Sequence, residues 1–124
     1  MTENRCASQP IGHIYEVYNL LLRFGVGKKY HGFEQCAHAV YLSAEEPERL
    51  TLVTKWLYPD VARQFGVSWS CVERNLRTVT RIAWINNREL LEKLAGKELP
   101  SVPSSTQFLR ILTSFFLNFD SNAA

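Results

Sequence analysis

Residues 58–84 read YPDVARQFGVSWSCVERNLRTVTRIAW, and this segment constrains the fold more than any other part of the chain. Proline is disfavoured inside a helix but tolerated in its first turn, so Pro59 marks the beginning of a helix. Gly66 can adopt a positive φ and predicts where that helix ends. Ser68 is a preferred N-cap residue for the next helix. The segment therefore predicts a short helix over 59–65, a tight turn, and a longer helix over 69–84.

The spacing of small and apolar residues in this segment matches a helix-turn-helix motif. Ala62 is small and lies midway along the first helix, where the two helices would cross closely. Gly66 follows at the turn, and Val72 is the branched apolar residue that would pack the second helix against the first. The neighbouring apolar positions hold Val61, Phe65 and Val67. A helix-turn-helix with all these positions filled predicts binding to duplex DNA.

The 3.6-residue helical period determines which side of the second helix faces outward. Four apolar residues recur at helical spacing and are expected to face the core: Val72, Leu76, Val79 and Ala83. The opposite side, which we call the reading face, carries Trp69, Ser70, Glu73, Arg74 and Arg77. Arginine can donate two hydrogen bonds to guanine, and glutamate can accept one from cytosine. We therefore predict that the reading face contacts base edges.

Basic and hydroxyl side chains near the reading face suit contacts to the phosphate backbone. The candidates are Lys55, Arg63, Ser68 and Arg81. The whole chain has a net charge of only +2, but residues 51–83 hold five basic and two acidic residues, a local charge of +3. A competing interpretation is a solvated helix face with a Glu73–Arg77 ion pair, which would stabilise the helix by only about 0.3–0.5 kcal/mol.

The remainder of the chain also has a helical pattern, without sustained alternation of polar and apolar residues. Apolar spacing predicts helices over about 11–24 and 30–42. Ser43 and Glu46 fit a capping box that would begin a third helix, and Tyr58 should break it because the residue before a proline avoids helical angles. Two further helices are expected over about 86–95, ending at Gly96, and from Ser104 onward.

These elements predict an all-α domain of six or seven short helices that contains the helix-turn-helix. The domain should cover residues 11–119, between an N-terminal extension at 1–10 and a C-terminal tail at 120–124. A chain of 124 residues is long enough for one domain and not for two.

Composition excludes several functional classes. No apolar run approaches the roughly 18 residues of a membrane span, and the first residues lack the order of a secretory signal, so we expect a cytoplasmic protein.

Cys6, Cys36 and Cys71 make no disulfide framework. Cys36 and His38 lie two apart and point to different sides of a helix, so no metal site is expected. No catalytic set or phosphate-binding loop is present, and we predict neither an enzyme nor a cofactor.

The segment TKWLYPDVARQFGVSWSCVERNLRTVTRIAW resembles the C-terminal DNA-binding effector domain of the stage-zero sporulation protein A family, which are sporulation response regulators. The shared pattern is K-x-LYPD-[IV]-A-x-x-F, followed by V-E-R-x-[IL]-R and then A-W. The resemblance extends over about residues 11–119. It implies that Glu73 and Arg74 read the bases of a short operator box, that Arg77 adds a contact, and that residues 86–99 touch the RNA polymerase sigma subunit.

The sequence departs from this family in two respects. The family generally has a basic residue where this chain has Cys71, so one DNA contact would be missing and the preferred box would differ. Full-length members carry an N-terminal receiver domain that drives dimerisation, and we see neither its βα repeats nor its acidic pocket. The sequence is therefore either an excised domain or a stand-alone relative, and the opening residues, which do not resemble a linker, favour the latter. We expect it to be monomeric in solution and able to bind repeated boxes in tandem. Cys71 also leaves open a helical protein-interaction module, or an antagonist of a full-length regulator, that does not itself bind DNA.

Overall fold

The computed structural model describes the backbone of residues 10–123 and the side chains of residues 14–117. A 3-10 turn, Pro47–Thr51, and a π-helical turn, Val53–Leu57, connect the second and third helices. No strand occurs among the described residues, and the predicted all-α fold is confirmed. The α-helices are α1 (Pro10–Arg23), α2 (His31–Glu45), α3 (Tyr58–Phe65), α4 (Trp69–Ala95) and α5 (Ser105–Ala123).

Helix α2 lies at the centre of the fold and packs against α1, α4 and α5. The four meet through apolar faces, because each helix repeats apolar side chains every three or four residues. Phe24, at the end of α1, and Phe108, on α5, are fully buried and meet edge to face with ring centroids 5.8 Å apart. Burial of these faces accounts for the arrangement of the helices, since apolar burial is the dominant favourable contribution to folding.

The predicted capping box at Ser43 is wrong. Helix α2 continues through Glu45, so Ser43 lies inside it and is fully buried, while Glu46 is the C-cap residue of α2. The Glu46 amide donates to the carbonyl of Leu42, 3.0 Å away. The expected third helix is replaced by the 3-10 turn and the π-helical turn, which bury Leu50 and Leu57.

The predicted break at Tyr58 is also wrong. Tyr58 has helical angles, φ −62° and ψ −41°, and the chain runs from the π-helical turn directly into α3. In a regular α-helix a proline ring clashes with the carbonyl four residues before it. The wider turn before Pro59, where the Tyr58 amide bonds to the carbonyl of Val53, accommodates the ring without a break.

Helix α4 contains a kink where the sequence predicted a boundary between two helices. Asn87 has non-helical angles, φ −153° and ψ 62°. Its side-chain oxygen accepts a hydrogen bond from the Leu90 amide at 3.2 Å, as an N-cap residue does, and its amide nitrogen donates to the Arg23 carbonyl at 3.2 Å. The kink is therefore held against the end of α1 and begins a new helical segment.

The segment after α4 is held by a small polar network. Glu92 Oε2 accepts from the Leu99 amide at 2.7 Å and from Arg88 Nε at 3.2 Å, and Arg88 also donates to the Leu99 carbonyl. The Leu99 amide and, after it, Arg88 hold the pKa of Glu92 below its ordinary value. The Arg88 guanidinium lies 4.4 Å from the centre of the Trp84 ring. These contacts give residues 84–99 a defined shape.

The last helix begins as predicted, because Ser104 Oγ accepts from the Gln107 amide at 3.1 Å. Helix α5 buries Phe108 and Leu112 and runs on through Ala123, into the residues assigned to a tail. Of the predicted N-terminal extension, residues 1–9 lie outside the described part of the chain. Within the described residues, no helix combines the length and apolar character that crossing a bilayer requires.

Candidate nucleic-acid interface

The turn between α3 and α4 has the geometry that the sequence predicted. Gly66 adopts a left-handed conformation, φ 67° and ψ 35°, which residues with a Cβ atom rarely tolerate. The Val67 amide bonds to the Ala62 carbonyl at 3.0 Å and closes the end of α3. Ser68 Oγ accepts from the Cys71 amide at 3.2 Å and caps α4. Gly66 therefore determines where α3 ends, and Ser68 determines where α4 begins.

The inward side of α4 is also confirmed. Val72, Leu76, Val79 and Ala83 are each at most 1% exposed. Val61 and Ala62 of α3 are buried with them, so the two helices of the motif share one core. The rotation of α4 then directs the reading face away from that core.

Four of the five reading-face residues are exposed and one is partly buried. Ser70, Arg74 and Arg77 are exposed, Trp69 has 45% of its surface accessible, and Glu73 is half-buried. Among the residues whose side chains are described, Arg74 has no ion-pair partner. Its guanidinium can therefore bind another molecule without first breaking an ion pair.

Glu73 and Arg77 form the ion pair that the competing interpretation anticipated. Arg77 Nη2 lies 3.6 Å from Glu73 Oε1, and both side chains are more than one-third exposed. An exposed pair of this kind on a helix stabilises it by only about 0.3–0.5 kcal/mol. The pair can therefore open when either side chain finds a stronger partner.

The residues expected to contact phosphate differ in their surroundings. Lys55 is exposed on the π-helical turn, and Arg81 is exposed one helical turn after Arg77. Arg63 is mostly exposed but forms an ion pair with Asp60, which also binds Arg49 Nε at 3.2 Å. Ser68 is exposed, although its oxygen already accepts the capping hydrogen bond. Lys55 and Arg81 are thus the two whose charge no ion pair among the described residues offsets.

An open pocket of about 360 Å³ lies beside the reading face, and its wall brings α4 close to the beginning of α5. Arg77 and Arg81 line it from α4, and two guanidinium groups one turn apart can donate to the oxygens of an anion such as phosphate. Glu73 and Tyr58 complete the wall on this side, opposite Ser105 and Thr106.

Tyr58 is a pocket residue that the sequence analysis did not identify. It is 2% exposed, and it lines the same pocket as Thr106. Burial, and then the nearby Glu73 carboxylate, raise the pKa of Tyr58 above its ordinary value. No local signal indicates this proximity, because Tyr58 and Thr106 are far apart in the sequence.

No group of three metal-binding side chains lies within the part of the chain that the structure describes. Cys36 is fully buried, and burial raises the pKa of its thiol to about 12. It therefore remains a neutral thiol packed in the core. Cys71 is half-buried, and Cys6 lies outside the described residues.

Residues 17–115 match the protein family described as sporulation initiation factor Spo0A C terminal. The match covers most of the 124-residue chain, including α2 to α4 in full. The chain thus has an exposed polar helix face directly after a helix-turn-helix turn, and it also matches a family of DNA-binding effector domains. The chain belongs to the Spo0A C-terminal family of DNA-binding domains.

Proposed function

We propose that this chain is a sequence-specific, DNA-binding regulator of transcription that acts without enzymatic activity or a cofactor. The observation that supports this most directly is the position of Arg74. Its exposed guanidinium lies on the outer side of a helix that follows a helix-turn-helix turn, in a family of DNA-binding domains. A protein that binds the chromosome of a spore-forming cell would work in the cytoplasm.

Two sets of residues would have different roles in binding DNA. The first set would read base edges in the major groove, and the second would position the domain by binding phosphates, which carry no sequence information. The base-reading set is Trp69, Ser70, Glu73, Arg74 and Arg77. The phosphate-binding set is Lys55, Arg63, Ser68 and Arg81.

The experiment that tests the proposal is selection of bound duplexes from a random DNA pool, followed by gel shifts with the selected operator. Enrichment of one short box supports a sequence-specific regulator. Failure to bind any duplex at low salt would favour the second candidate, a helical interaction module that binds protein. The half-buried Cys71, in place of a basic family residue, is the feature that favours this candidate.

Binding to DNA should weaken steeply as salt increases, because each basic contact to phosphate releases condensed counterions. A handful of phosphate contacts predicts a slope of about −3 to −6 in a plot of log affinity against log salt. Fluorescence anisotropy of a labelled operator between 50 and 300 mM salt, roughly, covers the useful range. A flat response would contradict a phosphate-binding role for Lys55 and Arg81.

Cys71→Arg should tighten DNA binding by at most about tenfold. A charge-assisted hydrogen bond contributes about 1.5–3 kcal/mol, and ordering a long side chain costs up to about 2 kcal/mol. The Cys71 thiol contacts Asn75 Nδ2 at 3.6 Å, so melting temperature must be measured with affinity. Cys71→Ala, which adds no charge, is the matched control and should leave affinity unchanged. Weaker binding of the arginine variant together with a lower melting temperature would mean that position 71 belongs to the core.

We also propose that residues 86–99 form a surface for the RNA polymerase sigma subunit, as the family resemblance implies. The network of Arg88, Glu92 and Leu99 supports this proposal, because it gives the segment a fixed shape that a partner can recognise. The domain would be a monomer in solution and would occupy repeated boxes in tandem on DNA.

A further inference from the structure

The backbones of helices α2 and α4 lie very close to each other beside the reading face. A Cβ atom added at Gly32 would lie 2.8 Å from the Asn75 carbonyl oxygen and 2.6 Å from Val79 Cγ2. Carbon atoms do not approach this closely, so only glycine fits at position 32 with the helices as they are. The backbone of α2 therefore lies directly on the helix that carries the reading face.

A partly buried hydrogen bond joins the same two helices. Gln35, one turn after Gly32, is 4% exposed, and its Oε1 accepts from Asn75 Nδ2 at 2.9 Å. Asn75 Nδ2 also lies 3.6 Å from the Cys71 sulfur, one turn earlier in α4. Positions 71 and 75 are thereby connected to α2, and Asn75 is the immediate neighbour of Arg74.

A hydrogen bond constrains the rotation of a helix in a way that apolar packing does not. Apolar burial is non-directional, whereas a hydrogen bond weakens steeply when its angle changes. Side chains extend about 6 Å from a helix axis, so a rotation of about 10° moves their ends by about 1 Å. A bidentate contact between arginine and guanine needs both donors at about 2.7–3.2 Å, and a displacement of this size disrupts it.

We infer that Gln35 and Gly32 are positioning residues for base recognition. They set the rotation of α4 and thus aim the reading face, without touching DNA themselves. Gly32 allows the close approach, and Gln35 fixes the angle through Asn75. The inference rests on the proposed function, because it concerns how the reading face selects bases.

The test compares wild-type protein with Gln35→Met, which is similar in length and volume but replaces the amide oxygen by a thioether sulfur, only a weak acceptor for Asn75. Affinity is measured for the operator selected by the wild type, for its single-base variants, and for an unrelated duplex. We expect affinity for the unrelated duplex to change less than about twofold, since phosphate contacts tolerate small rotations. The ratio of operator affinity to variant affinity should fall by about three- to tenfold.

Two further variants separate an effect on the orientation of the reading face from an effect on protein stability. Gln35→Glu keeps an acceptor oxygen for Asn75 but buries a charge, so its melting temperature should fall while its operator-to-variant ratio stays near that of the wild type. Val17→Ala removes methyl groups from a buried position of α1, and it should also lower melting without changing the ratio.

The possible results are distinguishable. If the wild type does not discriminate between duplexes, the proposed function and this inference both fail. If the wild type discriminates and Gln35→Met keeps the same ratio at a lower melting temperature, Gln35 is merely structural and the inference alone fails. A reduced ratio in Gln35→Met that Gln35→Glu restores supports the positioning role.

Discussion

Arg74→Ala should abolish base preference at one position of the operator while leaving a protein that still binds DNA. Arg74 is exposed on the outer side of α4, and its guanidinium has no ion pair among the described residues. A good bidentate contact to a base discriminates by about 1–3 kcal/mol, or about 5- to 150-fold. Competition gel shifts with single-base operator variants should therefore show one position at which the variant protein no longer distinguishes bases.

Two matched variants identify the cause of that loss. Arg74→Lys keeps the charge but not the planar pair of donors, so it should retain most of the affinity and lose much of the preference. Lys55→Ala removes an exposed charge on the π-helical turn and should weaken binding to all sequences alike. If Arg74→Ala ranks the operator variants as the wild type does, the proposed orientation of α4 on DNA is incorrect.

Gly32→Ala should destabilise the protein even though alanine is the better helix former. Helix propensity alone favours alanine by about 0.8–1.0 kcal/mol. The added methyl group, however, would meet the Asn75 carbonyl at 2.8 Å, and overpacking of this kind costs about 1–3 kcal/mol. We expect a net loss of up to about 2 kcal/mol in the free energy of unfolding and a fall of up to about 8 °C in melting temperature.

Gly27→Ala is the control for this substitution. A Cβ atom at Gly27 would meet nothing within 4 Å, and its φ is not in the left-handed region. Alanine there should leave stability unchanged or raise it by up to about 1 kcal/mol, because it restricts the unfolded chain. Calorimetry of the two variants side by side checks the difference. Equal melting temperatures would show that α2 can move away from α4 at little cost.

The features that could be predicted from the sequence are those with local causes. The turn depends on Gly66 and the beginning of α4 on Ser68, and each acts within a few residues of itself. The buried side of α4 follows from the period of its apolar residues. The reading face could be proposed from the same period, because it is the complement of the buried side.

The features that could not be predicted depend on contacts between distant segments. Ser43 and Glu46 fit a capping box locally, but packing of α2 in the core extends that helix past Ser43. The bond between Gln35 and Asn75 spans 40 positions, and one pocket is lined by both Tyr58 of α3 and Thr106 of α5. In the sequence, Gln35 is simply a polar residue within a helical pattern, with nothing to indicate its partner.

The kink at Asn87 makes the two ends of α4 independent in direction. Residues after it follow an axis set by the end of α1, through the bond from Asn87 to the Arg23 carbonyl, rather than by the turn at Gly66. A substitution in residues 88–95 can therefore alter the surface of this second helical segment without rotating Arg74 or Arg77. Mutation and selection can consequently adjust the surface proposed for the sigma subunit while the proposed base-reading surface is preserved, or adjust the base-reading surface alone.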